Sequence, residues 1–320
     1  MPFLIAFFIL SVLVFAGAYA AYRYSFYSPR GDQNNDLNYP TEEQYLPYRE
    51  EGLAMIRHLA SAHPWRRTEI RSRDGLRLSA RLLEGAEDAP VALCMHGYRG
   101  TAFRDFSGGA EMAVSRGFTV LLPDERAHGE SGGHTLTLGV RERLDCVDWA
   151  RWLERRYPGR PIFLYGISMG AATVLMATSL GLPESVCGVI ADSPYSSPAK
   201  IVRKCCRDTG VSDKLLYPFT ALGARIFGGF SLSGADAAAA VAETDLPILI
   251  IHGEDDRFVP VGMSEEIARA NPARVTRETF PGAGHGISFM TDRARYETLV
   301  DAFTSRCLAV HKNQNERTKP

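Results

Sequence analysis

Gly166-Ile167-Ser168-Met169-Gly170 follows the apolar run Ile162-Phe163-Leu164-Tyr165 and leads into Ala171-Ala172-Thr173-Val174-Leu175-Met176-Ala177. The first run, opened by Pro161, has the length and composition of a buried strand; the second suits a helix packed on a sheet. A Gly-x-Ser-x-Gly between strand and helix is the nucleophile elbow, a sharp turn that holds a serine hydroxyl above the strand end. Side chains at Gly166 and Gly170 would collide where strand and helix cross, so both positions call for glycine. The turn also sets the Met169 N–H at a helix N-terminus, where partial positive charge favours an oxyanion. A glycine-rich turn that merely contains serine would show the same five residues; the strand before and the helix after point to chemistry.

A serine hydroxyl is a poor nucleophile without a base, so the reading depends on finding a histidine and an acid. Downstream, Pro247-Ile248-Leu249-Ile250-Ile251-His252-Gly253 reads as a buried strand running into the loop Glu254-Asp255-Asp256-Arg257-Phe258-Val259-Pro260. Residues 275–280 alternate like a strand and break into Pro281-Gly282-Ala283-Gly284-His285-Gly286, which frames His285 with glycines on a loop. Three acids compete for the orienting role: Asp256, its neighbour Asp255, and Asp192, which follows Val189-Ile190-Ala191. His252 and His96 follow apolar runs and are better placed to hydrogen-bond loops than to move protons. His58 and His63 read as surface residues. No histidine pairs with cysteines or carboxylates at metal-ligand spacing, and Ser107-Gly108-Gly109 lacks the lysine and spacing of a phosphate loop. Neither a metal nor a cofactor is expected.

The chain order Ser168, aspartate, His285 is that of α/β-hydrolases, and over residues 66–311 the chain resembles that family. It looks most like single-span, membrane-anchored bacterial members related to the monoacylglycerol-lipase-like and serine-aminopeptidase-like branches. The resemblance implies an α/β fold, with a mostly parallel central sheet covered by helices on both faces and a helical lid insertion. It implies Ser168 as nucleophile, His285 as base and, from the register to Val259-Pro260, Asp256 as the acid. Cys94-Met95-His96-Gly97-Tyr98-Arg99-Gly100 resembles the family's His-Gly loop, which makes the Tyr98 N–H the second oxyanion donor beside Met169. Asp124-Glu125-Arg126-Ala127-His128-Gly129-Glu130-Ser131 resembles a loop that is structural in relatives, so Asp124 and His128 are given no chemical role.

At 320 residues and 45% apolar content the chain can bury one large core, and its net charge of −1 argues against a nucleic-acid partner. Cys94, Cys146, Cys187, Cys205, Cys206 and Cys307 are scattered and form no disulfide framework. Residues 3–22 are almost all apolar and uncharged, about the 20 positions a helix needs to cross a bilayer. Ala18-Tyr19-Ala20 would serve as a cleavage site if this were a secretory signal, but no lysine or arginine precedes the run. An uncleaved, single-pass anchor is the reading preferred here, with Arg23 and Arg30 after it placing the catalytic domain on the cytoplasmic side.

The organisation expected is therefore an anchor over residues 1–27, a linker over 28–41, a hydrolase domain over 42–311 and a polar tail over 312–320. Residues 42–62 read as a helix and residues 70–83 as a hairpin about Asp74-Gly75. The lid, about residues 195–245, reads as two or three helices with greasy positions at Leu215, Leu216, Phe219, Leu222, Ile226 and Phe227. Those side chains either pack the lid down or contact substrate. The function implied is hydrolysis of a small-molecule acyl ester. A peptidase with the same triad is the alternative; it would need an acidic anchor such as Glu125, Glu130 or Glu184. A non-catalytic binding protein on this fold would be expected to have lost a triad residue.

Overall fold

In the computed structural model, which describes residues 1–29 and 35–318, a single sheet of eight strands organises the chain. β1 (Arg66–Arg71) and β2 (Arg77–Leu83) form the hairpin, with Gly75 at φ +85° in the turn. β3 (Val91–Met95), β4 (Thr119–Pro123), β5 (Ile162–Ile167), β6 (Val186–Asp192), β7 (Ile248–Gly253) and β8 (Val275–Phe280) run parallel to one another. The order across the sheet is β1-β2-β4-β3-β5-β6-β7-β8, and β2 is antiparallel to both neighbours.

The helices are α1 (Pro2–Ser25), α2 (Arg49–Ala62), α3 (Ala102–Asp105), α4 (Gly109–Ser115), α5 (Glu142–Arg156) and α6 (Met169–Ala177). They continue as α7 (Pro198–Asp208), α8 (Asp213–Ile226), α9 (Ala237–Ala242), α10 (Gly262–Ala270), α11 (Ser288–Thr291) and α12 (Arg293–Thr318). The segment expected to be one helix from residue 42 is divided: a 3₁₀ turn, Glu43–Tyr48, contains Pro47 and precedes α2. Proline has no N–H to give to a helix, which accounts for the break.

Strand side chains alternate between two apolar layers. On β3, Val91, Leu93 and Met95 join α5, α6, the lid helices and the end of α1, whereas Ala92 and Cys94 face α2, α3, α4 and α12. Burial on both faces explains why the central strands read as unbroken apolar runs.

Because β4 and β5 lie on opposite sides of β3, the chain leaves β3 in one direction and returns to its other side. Loops diverge at such a point and open a crevice at the carboxyl ends of the strands. The loop after β3 and the turn after β5 meet there, with Met95 paired to Gly166.

Helix α1 is long and apolar enough to cross a bilayer, with mean hydropathy 2.5. Its last turns, however, belong to the globular core: Ala18, Tyr22 and Phe26 are buried, and the last two sit in the first apolar layer. α8 lies along it, so close that a Cβ at Gly223 would stand 2.4 Å from the Ala18 carbonyl oxygen. The six greasy lid positions do not line the cavity that opens beside Ser168; Phe219 packs on Gly17, and Phe227 on Tyr19 and Tyr22.

Two boundaries differ from the expectation. The described residues of the linker are held against the domain: Ser28 N–H bonds to His134 O, and Asn38, Tyr39, Pro40 and Thr41 wall the cavity. Arg30, used in the charge argument, lies outside the described residues. At the other end α12 continues to Thr318, so the polar tail is for the most part the end of a helix.

Candidate active site

Ser168 lies between β5 and α6 with φ +55° and ψ −113°, a strained backbone of the kind that costs about 1–3 kcal/mol. Its N–H is held by Asp192 O at 2.8 Å. Close packing makes the flanking glycines obligatory: a Cβ on Gly166 would lie 2.2 Å from Gly170 O, and one on Gly170 only 1.8 Å from Met95 O.

The hydroxyl of Ser168 is 2.8 Å from His285 Nε2, and His285 Nδ1 is 2.7 Å from Asp256 Oδ2. The carboxylate is itself fixed. Asp256 Oδ1 accepts the Phe258 and Val259 N–H groups at 2.9 and 2.8 Å, and His252 Nε2 stands 3.2 Å from Oδ2. Burial alone would push this carboxyl up. The hydrogen bonds from His252 and His285 outweigh it and hold the group well below the usual carboxylate range. His252 is fully buried and its Nε2 also bonds Val259 O at 2.9 Å, so it braces the acid loop.

The competing acids go elsewhere. Asp255 is exposed, and its N–H bonds to Ala283 O. Asp192 is buried and takes hydrogen bonds from Tyr296 at 3.0 Å and Ser193 at 2.9 Å, and burial raises its pKa. Its contribution is indirect, because Ser193 Oγ in turn accepts the Gly286 N–H at 3.2 Å, beside the histidine. On the other side Gln44 Oε1 accepts the His285 N–H at 3.0 Å. Nothing in the local sequence marks Gln44, which lies 241 positions away.

The loop after β3 packs against Ser168, a Cβ on Gly97 falling 3.4 Å from Ser168 Cβ. Gly97 N–H bonds to Asp105 Oδ2 at 2.8 Å, and Arg99 N–H to His128 Nε2 at 3.1 Å. Among the described residues the N–H groups of Tyr98, between them, and of Met169, after the serine, have no hydrogen-bond partner. His128, given no role from sequence, is thus a support of this loop. Its Nδ1–H donates to Arg126 O at 3.0 Å, so Nε2 is the acceptor, and burial pushes its pKa well down and keeps the ring neutral. His96 beside it is likewise buried and lowered, with Nδ1 on Gly97 O and Nε2 accepting Glu125 N–H. Asp124 bonds Arg81 and Glu130 N–H, which closes the structural loop as the resemblance implies.

A cavity of about 700 Å³ opens onto Ser168 and His285, with Tyr39, Tyr45, Phe258, Phe289 and Met290 among its walls. His58 and His63 do acquire a carboxylate partner: Glu111 from α4 lies 3.5 and 2.8 Å from their Nε2 atoms. None of the three lines the cavity.

Residues 92–301 match the alpha/beta hydrolase family, about two thirds of the chain, and the protein belongs to that family. The Pyrococcus furiosus esterase Pf2001 superposes with a TM-score of 0.61 at 25% identity, over 78% of this chain and 95% of that one. Among curated relatives, the uncharacterized Bacillus subtilis protein YqkD is 25% identical over 58% of this chain and 62% of its own length. The lysophosphatidylserine lipase ABHD12 of Danio rerio is 26% identical over 73% of this chain and 59% of its own. The chain thus spans about three fifths of the length of these two relatives.

Proposed function

We propose that the protein is a membrane-anchored serine hydrolase that cleaves carboxylic esters through Ser168, His285 and Asp256. The observation that carries this reading is the unbroken hydrogen-bond chain from Asp256 through His285 to Ser168, at the floor of an open cavity. His285 Nε2 takes the hydroxyl proton as Ser168 Oγ attacks the acyl carbon, and Asp256 holds the ring and stabilises its charged form. The Tyr98 and Met169 N–H groups receive the oxyanion, each such donor being worth about 10²–10³ in rate. The alcohol departs with the proton from His285. Water, deprotonated by the same nitrogen, then releases the acid and restores the serine.

The aromatic walls favour an apolar acyl group. Arg257 lines the same cavity without a carboxylate partner among the described residues, which suits an amphiphile with a polar or anionic head. The relative named as a lysophosphatidylserine lipase supports a substrate of that general kind. An aminopeptidase fits less well. Glu125, Glu130 and Glu184 lie outside the cavity, while Asp105 and Asp208 within it are paired with Arg104 and Lys204. Asp192 is committed to Tyr296 and Ser193, which leaves, among the described residues of the cavity, an exposed Glu42 to bind a substrate ammonium. The buried end of α1 supports an anchor that is retained after synthesis, since cleavage after Ala20 would strip Ala18 from its contact with Gly223.

The test compares kcat/KM for p-nitrophenyl acetate, butyrate and octanoate with that for alanine and proline p-nitroanilides. Octanoate or butyrate should lead, and Ser168→Ala should abolish both turnover and fluorophosphonate labelling. Faster turnover of an anilide than of every ester would favour the peptidase.

A further inference from the structure

The loop that presents the Tyr98 N–H is held from two directions. From inside the domain, Asp105 takes the Gly97 N–H and His128 the Arg99 N–H. From outside, the partner is the end of the membrane helix. Tyr98 Oη donates to Ser25 O at 2.8 Å, and Arg99 Nη2 donates to Tyr24 O at 2.7 Å and to Tyr27 O at 3.4 Å. Tyr24 and Ser25 occupy the last turn of α1, whose carbonyls have no onward helical N–H to accept and carry the negative end of the helix dipole. A guanidinium and a phenol are well suited to cap them.

We propose that the carboxyl end of α1 is a positioning element of the oxyanion site, so that the helix entering the membrane sets the aim of the Tyr98 N–H. The proposal rests on the reading of Tyr98 as an oxyanion donor. Arg99 carries φ +52°, a left-handed backbone that an arginine adopts only under constraint, and the constraint is shared between His128 and α1.

The helix end is itself too well fixed to follow a wandering loop. Phe26 is fully buried with its ring 5.2 Å from that of Phe230, and Tyr22 Oη bonds Thr135 Oγ1 at 2.8 Å. Leu136 N–H bonds to Phe26 O at 2.8 Å, and Gly223 of α8 abuts the Ala18 carbonyl. Displacing α1 therefore moves the outer support of the loop while Ser168, His285 and Asp256 keep their mutual contacts.

Three variants of the full-length chain, in detergent micelles or lipid nanodiscs, test this. Tyr98→Phe removes the bond to Ser25 and Arg99→Gln the cap on Tyr24. Gly223→Leu, outside the cavity, pushes α1 off α8. Each should lower kcat about 10- to 100-fold, with KM within about twofold, as expected for a misaimed oxyanion donor. The inhibition constant for an alkyl boronic acid, which mimics the tetrahedral state, should weaken in proportion to the loss in kcat/KM. A purely structural role would lower Tm and leave boronate affinity per folded enzyme unchanged. Tyr98→Phe removes a single oxygen and so carries the test where Gly223→Leu perturbs folding. Tyr98→Phe and Arg99→Gln with kcat and boronate affinity within twofold of wild type would overturn the proposal alone. A wild-type chain that is neither labelled by fluorophosphonate nor active on esters would overturn it together with the functional reading.

Discussion

Replacing Asp256 by asparagine keeps the side chain's shape and reverses one hydrogen bond. Asp256 Oδ1 accepts two backbone N–H groups, from Phe258 and Val259. In Asp256→Asn the amide oxygen must stay at that position, which forces the NH₂ to the place of Oδ2, 2.7 Å from His285 Nδ1. Two donors cannot face each other there. The imidazole is driven to the tautomer with its proton on Nε2, pointing at Ser168 Oγ where a lone pair is needed. The expected loss in kcat is about 10⁴, the scale of this tautomer reversal in Ser-His-Asp enzymes, or about 5.4 kcal/mol at 1.36 per decade. Asp192→Asn alters only the hydrogen bonds to Tyr296 and Ser193 and should cost less than about tenfold. Steady-state hydrolysis of p-nitrophenyl butyrate at pH 8 measures both. A loss under tenfold at Asp256, or a greater loss at Asp192, would refute the assignment of the acid.

Glu125 is fully buried with neither carboxyl oxygen hydrogen-bonded among the described residues, and burial, reinforced by Glu142 and Asp145, raises its pKa well above the usual value of 4.5. The native state therefore keeps the proton that the unfolded chain loses above about pH 4.5, so this group's contribution to stability falls as pH rises from there. Glu125→Gln removes this term: its Tm should match wild type near pH 4.5 and exceed it by at least about 2 °C at pH 8, whereas a pH-independent difference would contradict the assignment. If α1 is retained, the full-length chain should resist carbonate extraction from membranes; an amino terminus beginning just after Ala20 would show that it is processed.

Much of the site was readable from local sequence, because each element is encoded by neighbours in the chain. Gly166, Ser168 and Gly170 specify a turn, and the apolar runs before Ser168, Asp256 and His285 specify strands whose carboxyl ends must share one edge of a parallel sheet. The long apolar helix at the amino terminus was equally plain, since about 20 uncharged apolar residues read the same in any fold. Choosing among Asp192, Asp255 and Asp256 was harder: the residues alone left all three open, and the family register was needed to favour Asp256. In three dimensions the difference is orientation, one carboxylate meeting His285, one facing Tyr296 and one exposed.

What only the tertiary structure decided are contacts between segments remote in the chain. Gln44 holds the His285 loop, His128 holds the Arg99 N–H, and Phe219 and Phe227 of the lid pack on α1 and not on the cavity. A hydrogen bond between residues 241 positions apart leaves no trace in the periodicity of either segment. An apolar face, likewise, shows that it will be covered but not by what. The chemical groups and the elements that carry them were legible because they follow from local backbone preference and burial. The supports that aim those groups follow from packing, which depends on every other residue in the core.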